Sequence, residues 1–376
     1  MSASDRPLRI LHVASHAKVA RGGAVQMIRL AREQHRRGHH VQCVVHHTRL
    51  HRRPLEWDFS EIVEAGLPMI SFDQSRWSEV LRFRRWLREN PFDILHAHRD
   101  RALGFSHCAT WRMARPVILA NRGTTNTIPR RTFARRAFLS RRLGAVVAVA
   151  EAIRRALVEQ DGVDEAKIHV VYGSVETDRF HPGVDGAAVR CELGVDKSTP
   201  LVGLPAALAP KKGHSHFVEM MPRVLREMPE VHFLWVGEGR RARFGEITEG
   251  LAEPRRLHWL EHRDDMAEVL AACSVVLCCS TKGEGLTGAL REALAMARPV
   301  ITTDVSGNTE MVRDGETGRV VPIGDPEAMA RAVLETLRHP VEAQRLAEAG
   351  RQWVLRECTD AVRADRIESI CRSLLS

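Results

Sequence analysis

The sequence predicts an α/β protein built from two Rossmann-like, doubly wound domains facing across a cleft. Short apolar runs with β character alternate with helix-period segments through the first half. The same alternation starts afresh after about residue 200, beyond a turn-rich stretch from Gly173 to Pro200 that carries Pro182, Gly183 and Gly186. The length, 376 residues, suits about two to three domains.

In chain order, Arg9–Ser15 reads as the first strand. A loop ending in Gly22-Gly23 follows, and then a helix over Ala24–Arg37 with Val25, Ile28, Leu30 and Ala31 at helical spacing and Gly38 as its stop. Val41–Val45, Asp93–Ala97, Val117–Ala120 and Gly144–Ala150 continue the strands of the first half. In the second half Leu201–Leu204, His232–Gly237, Val275–Cys279 and Pro299–Thr303 read as strands. Helices over His214–Met228, Asp264–Ala272, Thr287–Ala297 and Pro326–Leu337 separate them. Strands alternating with helices imply parallel sheets covered on both faces. The expected domains are 1–180, with a terminal helix in 358–376 packing back on it, and 195–357.

Hydrophobic residues make up 44% and charged residues 27%, ordinary for a globular protein. The apolar runs are strand-length, so no membrane span is expected. The start MSASDRPLRI carries no apolar h-region, so no signal peptide is expected. Eight scattered cysteines without a C-x-x-C pair suit a reduced, cytoplasmic protein and no zinc site. Six histidines lie between His35 and His51 (35, 39, 40, 46, 47, 51) at spacings that fit no standard zinc motif, and no metal ligand is expected.

The net charge of +9 is unevenly placed: residues 1–175 hold 30 Lys/Arg against 16 Asp/Glu, and residues 101–150 hold ten arginines and no acid. A basic first domain is expected to meet an anion. Thr124–Arg142 interleaves Arg130, Arg131, Arg135 and Arg136 with Phe133 and Phe138, a polybasic patch suited to a membrane surface or a lipid-linked phosphate. Nucleic acid is not expected, because aromatic residues are only 5%.

Open α/β sheets bind ligands at the carboxyl ends of their strands, so residues following strands carry the chemistry. The strongest signal is the run Gly283-Glu284-Gly285-Leu286-Thr287-Gly288-Ala289-Leu290-Arg291-Glu292. Its glycines let backbone N–H groups approach a ligand, and a helix opening there attracts the negative end. Pro210-Lys211-Lys212-Gly213-His214 places two of the six lysines between a strand and a helix, where an ammonium suits a diphosphate gaining charge as a bond breaks. Gly22-Gly23 forms a phosphate-friendly turn, and Gly237-Glu238-Gly239 could pass a base or ribose edge. His98 follows a strand and is a candidate acceptor contact.

Together these segments resemble the nucleotide-sugar glycosyltransferases of family 4, which have the two-domain GT-B fold. RILHVAS followed by GGA is similar to the family's opening strand and glycine loop, FDILHAH to its Asp-x-x-His-x-His segment, PKKGH to its Lys-Gly motif and EGLTGALRE to its E-x7-E motif. ARPVITTDVSGNTEMVRDGETGRVV is similar to the segment after that motif, and VVAVAEAIRRALVEQDGVDEAKIHVVYGSVETDRFHP to the stretch leading to the interdomain linker.

The resemblance implies a retaining, metal-independent hexosyltransferase with no cofactor beyond its nucleotide-sugar co-substrate. It implies a diphosphate cation in Lys212, with Lys211 beside it, and sugar-hydroxyl contacts from Glu284. Phosphate and sugar oxygens would meet the amides of Leu286, Thr287 and Gly288, and the ribose would meet Glu292. Glu238, His262 and Arg263 would lie near the base, and Gly22 and Gly23 near the diphosphate. The expected donor is a UDP-hexose. The expected acceptor is an envelope glycan or lipid-linked sugar such as lipopolysaccharide core, reached by peripheral contact with the inner face of the cytoplasmic membrane. The sequence departs from the family at four places. Ala206-Ala207 stand where Gly-Arg is common and Arg122-Gly123 where His-Gly is common. Leu286-Thr287 replace Phe-Gly, and Ala297 replaces a Gly. Lys211 or Arg122 is the candidate replacement for the missing phosphate-clamping arginine, which places Arg122 among the catalytic residues. Two other classes fit the same fold: a non-catalytic binding protein, and a phosphorylase-like enzyme using orthophosphate.

Overall fold

The computed structural model describes residues 6–15, 23–47, 60–282 and 285–376. Gly22, Glu284, Gly283 and His51 lie outside the described residues. The chain divides into two compact units, one of residues 1–174 with 360–376 and one of residues 175–359.

In the first unit the strands are β1 (Arg9–Ala14), β2 (His40–His46), β3 (Met69–Phe72), β4 (Ile94–His98), β5 (Val117–Arg122), β6 (Leu143–Ala148) and β7 (Ile168–Val170). They form one sheet in the order β3-β2-β1-β4-β5-β6-β7 with every pairing parallel. Helices α1 (Gly23–Arg36), α2 (Ser60–Glu64), α3 (Trp77–Glu89), α4 (Asp100–Ala109), α5 (Phe133–Phe138) and α6 (Glu151–Glu159) connect them.

Strand alternation sorts the side chains onto two faces. Leu11, Val13, Leu95 and Ala97 join Phe83 of α3 and Leu103 and Phe105 of α4 in one core. Ile10, Ile94, Leu119, Ala145 and Val147 point the other way, against Ala364, Ile367, Ile370 and Cys371. Those four belong to a C-terminal helix, Asp360–Ser373, which therefore closes the sheet of the first unit.

The second unit carries β8 (Leu201–Pro205), β9 (His232–Val236), β10 (Leu257–Leu260), β11 (Val275–Cys278), β12 (Val300–Thr303) and β13 (Arg319–Val321). Their order is β10-β9-β8-β11-β12-β13, again wholly parallel. Its helices are α7 (Ala187–Leu193), α8 (His214–Glu227), α9 (Arg241–Thr248), α10 (Met266–Ala272), α11 (Gly288–Ala295), α12 (Asn308–Met311), α13 (Pro326–Arg338) and α14 (Pro340–Glu357), and the terminal helix becomes α15. Val202, Leu204, Phe233 and Leu277 pack on Phe217, Met221 and Val224 of α8 and on Met329 and Val333 of α13.

In both sheets the strand order reverses beside the first strand, between β1 and β4 and between β8 and β11. Ligands of doubly wound sheets gather at such a switch point, beyond the strand ends. In the second unit that point is flanked by the segments that hold the lysine pair and the start of α11.

The eight cysteines are all free thiols. No described helix is long and apolar enough to cross a membrane.

Candidate active site

After β8 the chain turns through the one-turn 3-10 segment Pro210–Lys212 and enters α8 at His214. Gly213 makes the turn at φ +69, and a Cβ there would meet the Cys279 carbonyl oxygen at 1.8 Å. No other residue permits that conformation and that approach together. The approach brings the lysine loop against the end of β11. Thr281 N–H donates to Lys211 O at 2.8 Å. Lys212, Ser280 and Thr287 then line one small cavity with Leu204, Cys278 and Ala289.

The structure thus brings together Lys212 and the N-terminus of α11, which the sequence separates by some 75 residues. Glu292, half-buried one turn into α11, directs Oε1 back toward Gly288, 3.9 Å from where a Cβ on that glycine would stand. Lys211 is exposed beside Lys212. Glu238 is exposed after β9 and lines a second hollow, of about 490 Å³, with Leu208, Pro210, Arg240 and Arg243.

The Thr287 amide, expected to meet a ligand oxygen, is engaged within the second unit. Its N–H donates to Asn308 Oδ1 at 3.1 Å. Asn308, wholly buried, also donates through Nδ2 to Thr302 Oγ1 at 3.1 Å and Cys278 Sγ at 3.3 Å. Sequence reasoning missed Asn308 because its partners lie on three other elements.

His214 is buried against Trp235, its ring 4.1 Å away, with Nε2 3.2 Å from the Ala206 carbonyl oxygen. Burial pulls its pKa down to about 4, so near neutrality the uncharged ring donates to Ala206. Ala206 and Ala207 bring no cation to this edge, and Lys212 and Lys211 are the cations of the loop itself.

Three of the expected site arginines are engaged in pairs within the protein. Arg263 is clamped by Glu192 at 2.7 and 2.8 Å and by Asp265 at 2.6 and 2.8 Å. These carboxylates hold its pKa well above the usual arginine value, and the guanidinium fastens the turn after β10 to α7. His262, in the same turn, lies 3.4 Å from Asp264. Arg122, 4% exposed, gives one nitrogen to Asp100 Oδ1 at 2.6 Å and another to the Asn126 carbonyl. It ties the loop after β5 to the start of α4. Arg135 pairs with buried Asp161, 3.1 Å to Oδ1 and 3.2 Å to the carbonyl, so it holds α5 to the end of α6.

Arg130, Arg131 and Arg136 remain exposed, with Arg136 over the half-exposed Phe133 ring at 5.7 Å. Gly23 opens α1 on the surface. His98 is buried, 3.0 Å from His12, beneath the helices that cover the sheet.

Residues 20–179 match the family described as Glycosyltransferase Family 4, and residues 199–339 match Glycosyl transferases group 1. The chain is 30% identical over 280 residues to a phosphatidyl-myo-inositol mannosyltransferase of Mycobacterium leprae, covering 73% of this chain and 72% of that protein. The chain belongs to glycosyltransferase family 4. Its fold is GT-B. The crystal structure of Anabaena HepE in complex with UDP superposes with a TM-score of 0.83 at 18% identity, over 97% of this chain and 100% of that one. A glycosyltransferase from Rickettsia africae superposes with a TM-score of 0.85 at 20% identity, over 98% and 99%. The lysine loop, α11 and Glu292 of this glycosyltransferase all lie within the group 1 match, and the polybasic segment lies within the family 4 match.

Proposed function

We propose that this glycosyltransferase moves a hexose from a nucleoside-diphosphate sugar, UDP-hexose first, to an anionic envelope-glycan or lipid-linked acceptor, with retention and with no metal on the diphosphate. The observation that carries the reading is the joint between Lys211 and Thr281, which sets Lys212 and the N-terminus of α11 around one cavity. An ammonium-bearing residue and a helix N-terminus that line one cavity suit a leaving diphosphate.

In the reaction the acceptor oxygen forms a bond to the anomeric carbon as the bond to the β-phosphate oxygen breaks on the same face. The acceptor proton passes to the leaving phosphate. Lys212 and the amides of Leu286 and Gly288 stabilise the charge that phosphate gains. Glu292 is suited to the ribose, Glu238 to the edge of the base, and Glu284 to sugar hydroxyls. The exposed Arg130, Arg131 and Arg136 with Phe133 suit acceptor phosphate at a membrane surface, where anionic lipid attracts each cation by about 1 kcal/mol.

A second donor has a specific argument. One relative, 29% identical over 212 residues, is a GDP-mannose-dependent monoacylated phosphatidylinositol monomannoside mannosyltransferase from Corynebacterium glutamicum.

The test is transfer from UDP-glucose, UDP-galactose and GDP-mannose to lipopolysaccharide core and to phosphatidylinositol in vesicles, with the product's anomeric configuration read by NMR. Transfer with retention in EDTA supports the reading. Inversion, a need for added metal, or phosphate-dependent release of sugar phosphate contradicts it.

A further inference from the structure

The first unit holds three imidazoles that the donor chemistry does not use. His12 of β1 stands in register with His96 of β4, and Ala14 with His98. Side chains two apart on a strand share a face, so His96 and His98 lie on the face His12 uses. All three are buried, at 0%, 1% and 2% exposure. Their ring centroids lie 5.3, 5.2 and 4.3 Å apart. One ring nitrogen from each lies within 4.8 Å of the other two, and among the described residues this is the one group of potential ligands so gathered.

His12 Nε2 is 2.9 Å from Gln34 Oε1, an oxygen that only accepts. Its proton therefore sits on Nε2, and its Nδ1 lone pair faces His98 Nε2 at 3.0 Å. Neither ring nitrogen of buried His96 has a hydrogen-bond partner, which is unusual for a buried polar group.

We propose that His12, His96 and His98 form a site for one divalent transition-metal ion of the zinc class. Tetrahedral zinc binds imidazole nitrogen at about 2.0–2.1 Å, which sets ligand nitrogens about 3.3 Å apart. His12 Nδ1 and His98 Nε2 stand 3.0 Å apart, near that spacing; the ion would replace the proton that His98 Nε2 donates to His12, and rotation of the His96 ring would supply the third ligand. Gln34 supplies the outer acceptor that fixes a ligating histidine's tautomer.

His12 and His96 are buried away from water, and it is the neutral imidazole that ligates. Arg363 lies close enough to act electrostatically on both rings, and no carboxylate joins the group. Only an ion with strong bonds to imidazole can outweigh that arginine, which selects zinc-class ions over magnesium and calcium. Such an ion would tie β1 to β4 where the strand order reverses. The site is independent of the proposed transfer reaction, and activity does not enter its test.

The experiment is equilibrium dialysis of the metal-stripped full chain against zinc, with cobalt(II) absorption as a second readout. The expected result is one ion per chain with a tetrahedral cobalt spectrum. Affinity should fall at least tenfold in His96→Gln and in His98→Gln, and stay unchanged in His232→Gln, which alters a separate histidine pair. Circular dichroism of each variant establishes its fold. If the variants fail to fold, X-ray absorption of the zinc-loaded native chain decides: three imidazole nitrogens at about 2.0 Å support the site, and a sulfur shell overturns it. No stoichiometric binding by the native chain, or equal binding by folded His96→Gln, also overturns it.

Discussion

The Thr281 amide donates to the Lys211 carbonyl oxygen at 2.8 Å, and this bond fastens the loop after β8 to the segment that leads into α11. The contact is possible because Gly213 lets the lysine loop lie against Cys279. Gly213→Ala forces a Cβ onto a carbonyl oxygen and an L-residue into left-handed backbone. The expected cost is on the order of 3 kcal/mol, with loss of nucleotide binding in whatever protein folds. Urea unfolding and nucleotide titration check both parts.

Asn308 holds the turn before α11 from inside the second unit. In Asn308→Ala the Thr287 N–H is left buried without its acceptor, and the expected destabilisation is about 1–3 kcal/mol. Turnover should fall further than this loss of stability explains, since the amides of Leu286 and Gly288 lose their placement. Unfolding midpoints compared with kcat at a temperature where both proteins are folded separate the two effects.

Ala297 follows α11 at φ +51, a conformation that costs an L-residue roughly 1–2 kcal/mol. The resemblance to family 4 has glycine here, and Ala297→Gly should stabilise the protein by about 0.5–1 kcal/mol after glycine's greater unfolded-state freedom is subtracted. A lowered urea midpoint would refute this.

The buried His214 ring gives a pH dependence of known sign. Its folded pKa, about 4, lies below the unfolded value of about 6.5. The unfolded chain therefore binds the proton first on acidification. The contribution is fully present above about pH 6.5 and is lost as pH falls from there toward 4, with a limiting slope of about 1.4 kcal/mol per pH unit. Urea midpoints between pH 7.5 and 4.5 should fall less steeply in His214→Gln than in the native chain.

The central strands were legible in the sequence because burial on both faces writes them as continuous apolar runs such as VVAVA and VVLCC. The edge strands β3, β10 and β13 were not, for MISF, LHWL and RVV are short and only partly buried. The Lys212 loop and α11 could be read because each is a contiguous run with glycine where the backbone needs it. The pairings that decide the fate of Arg122, Arg135 and Arg263 could not, since Asp100, Asp161 and Glu192 lie 22 to 71 residues away. The His12–His96–His98 group escaped for the same reason: parallel pairing of β1 with β4 assembles it across more than 80 residues of chain.

The most direct measurement is calorimetric titration of UDP, GDP and ADP into the native chain and into Lys212→Ala, all in EDTA. The account predicts that one nucleotide binds the native chain without metal, and that Lys212→Ala weakens it by about 10²-fold, the scale of a lost charged phosphate contact. Equal binding by the two proteins, or no nucleotide binding by the folded native chain, would contradict it.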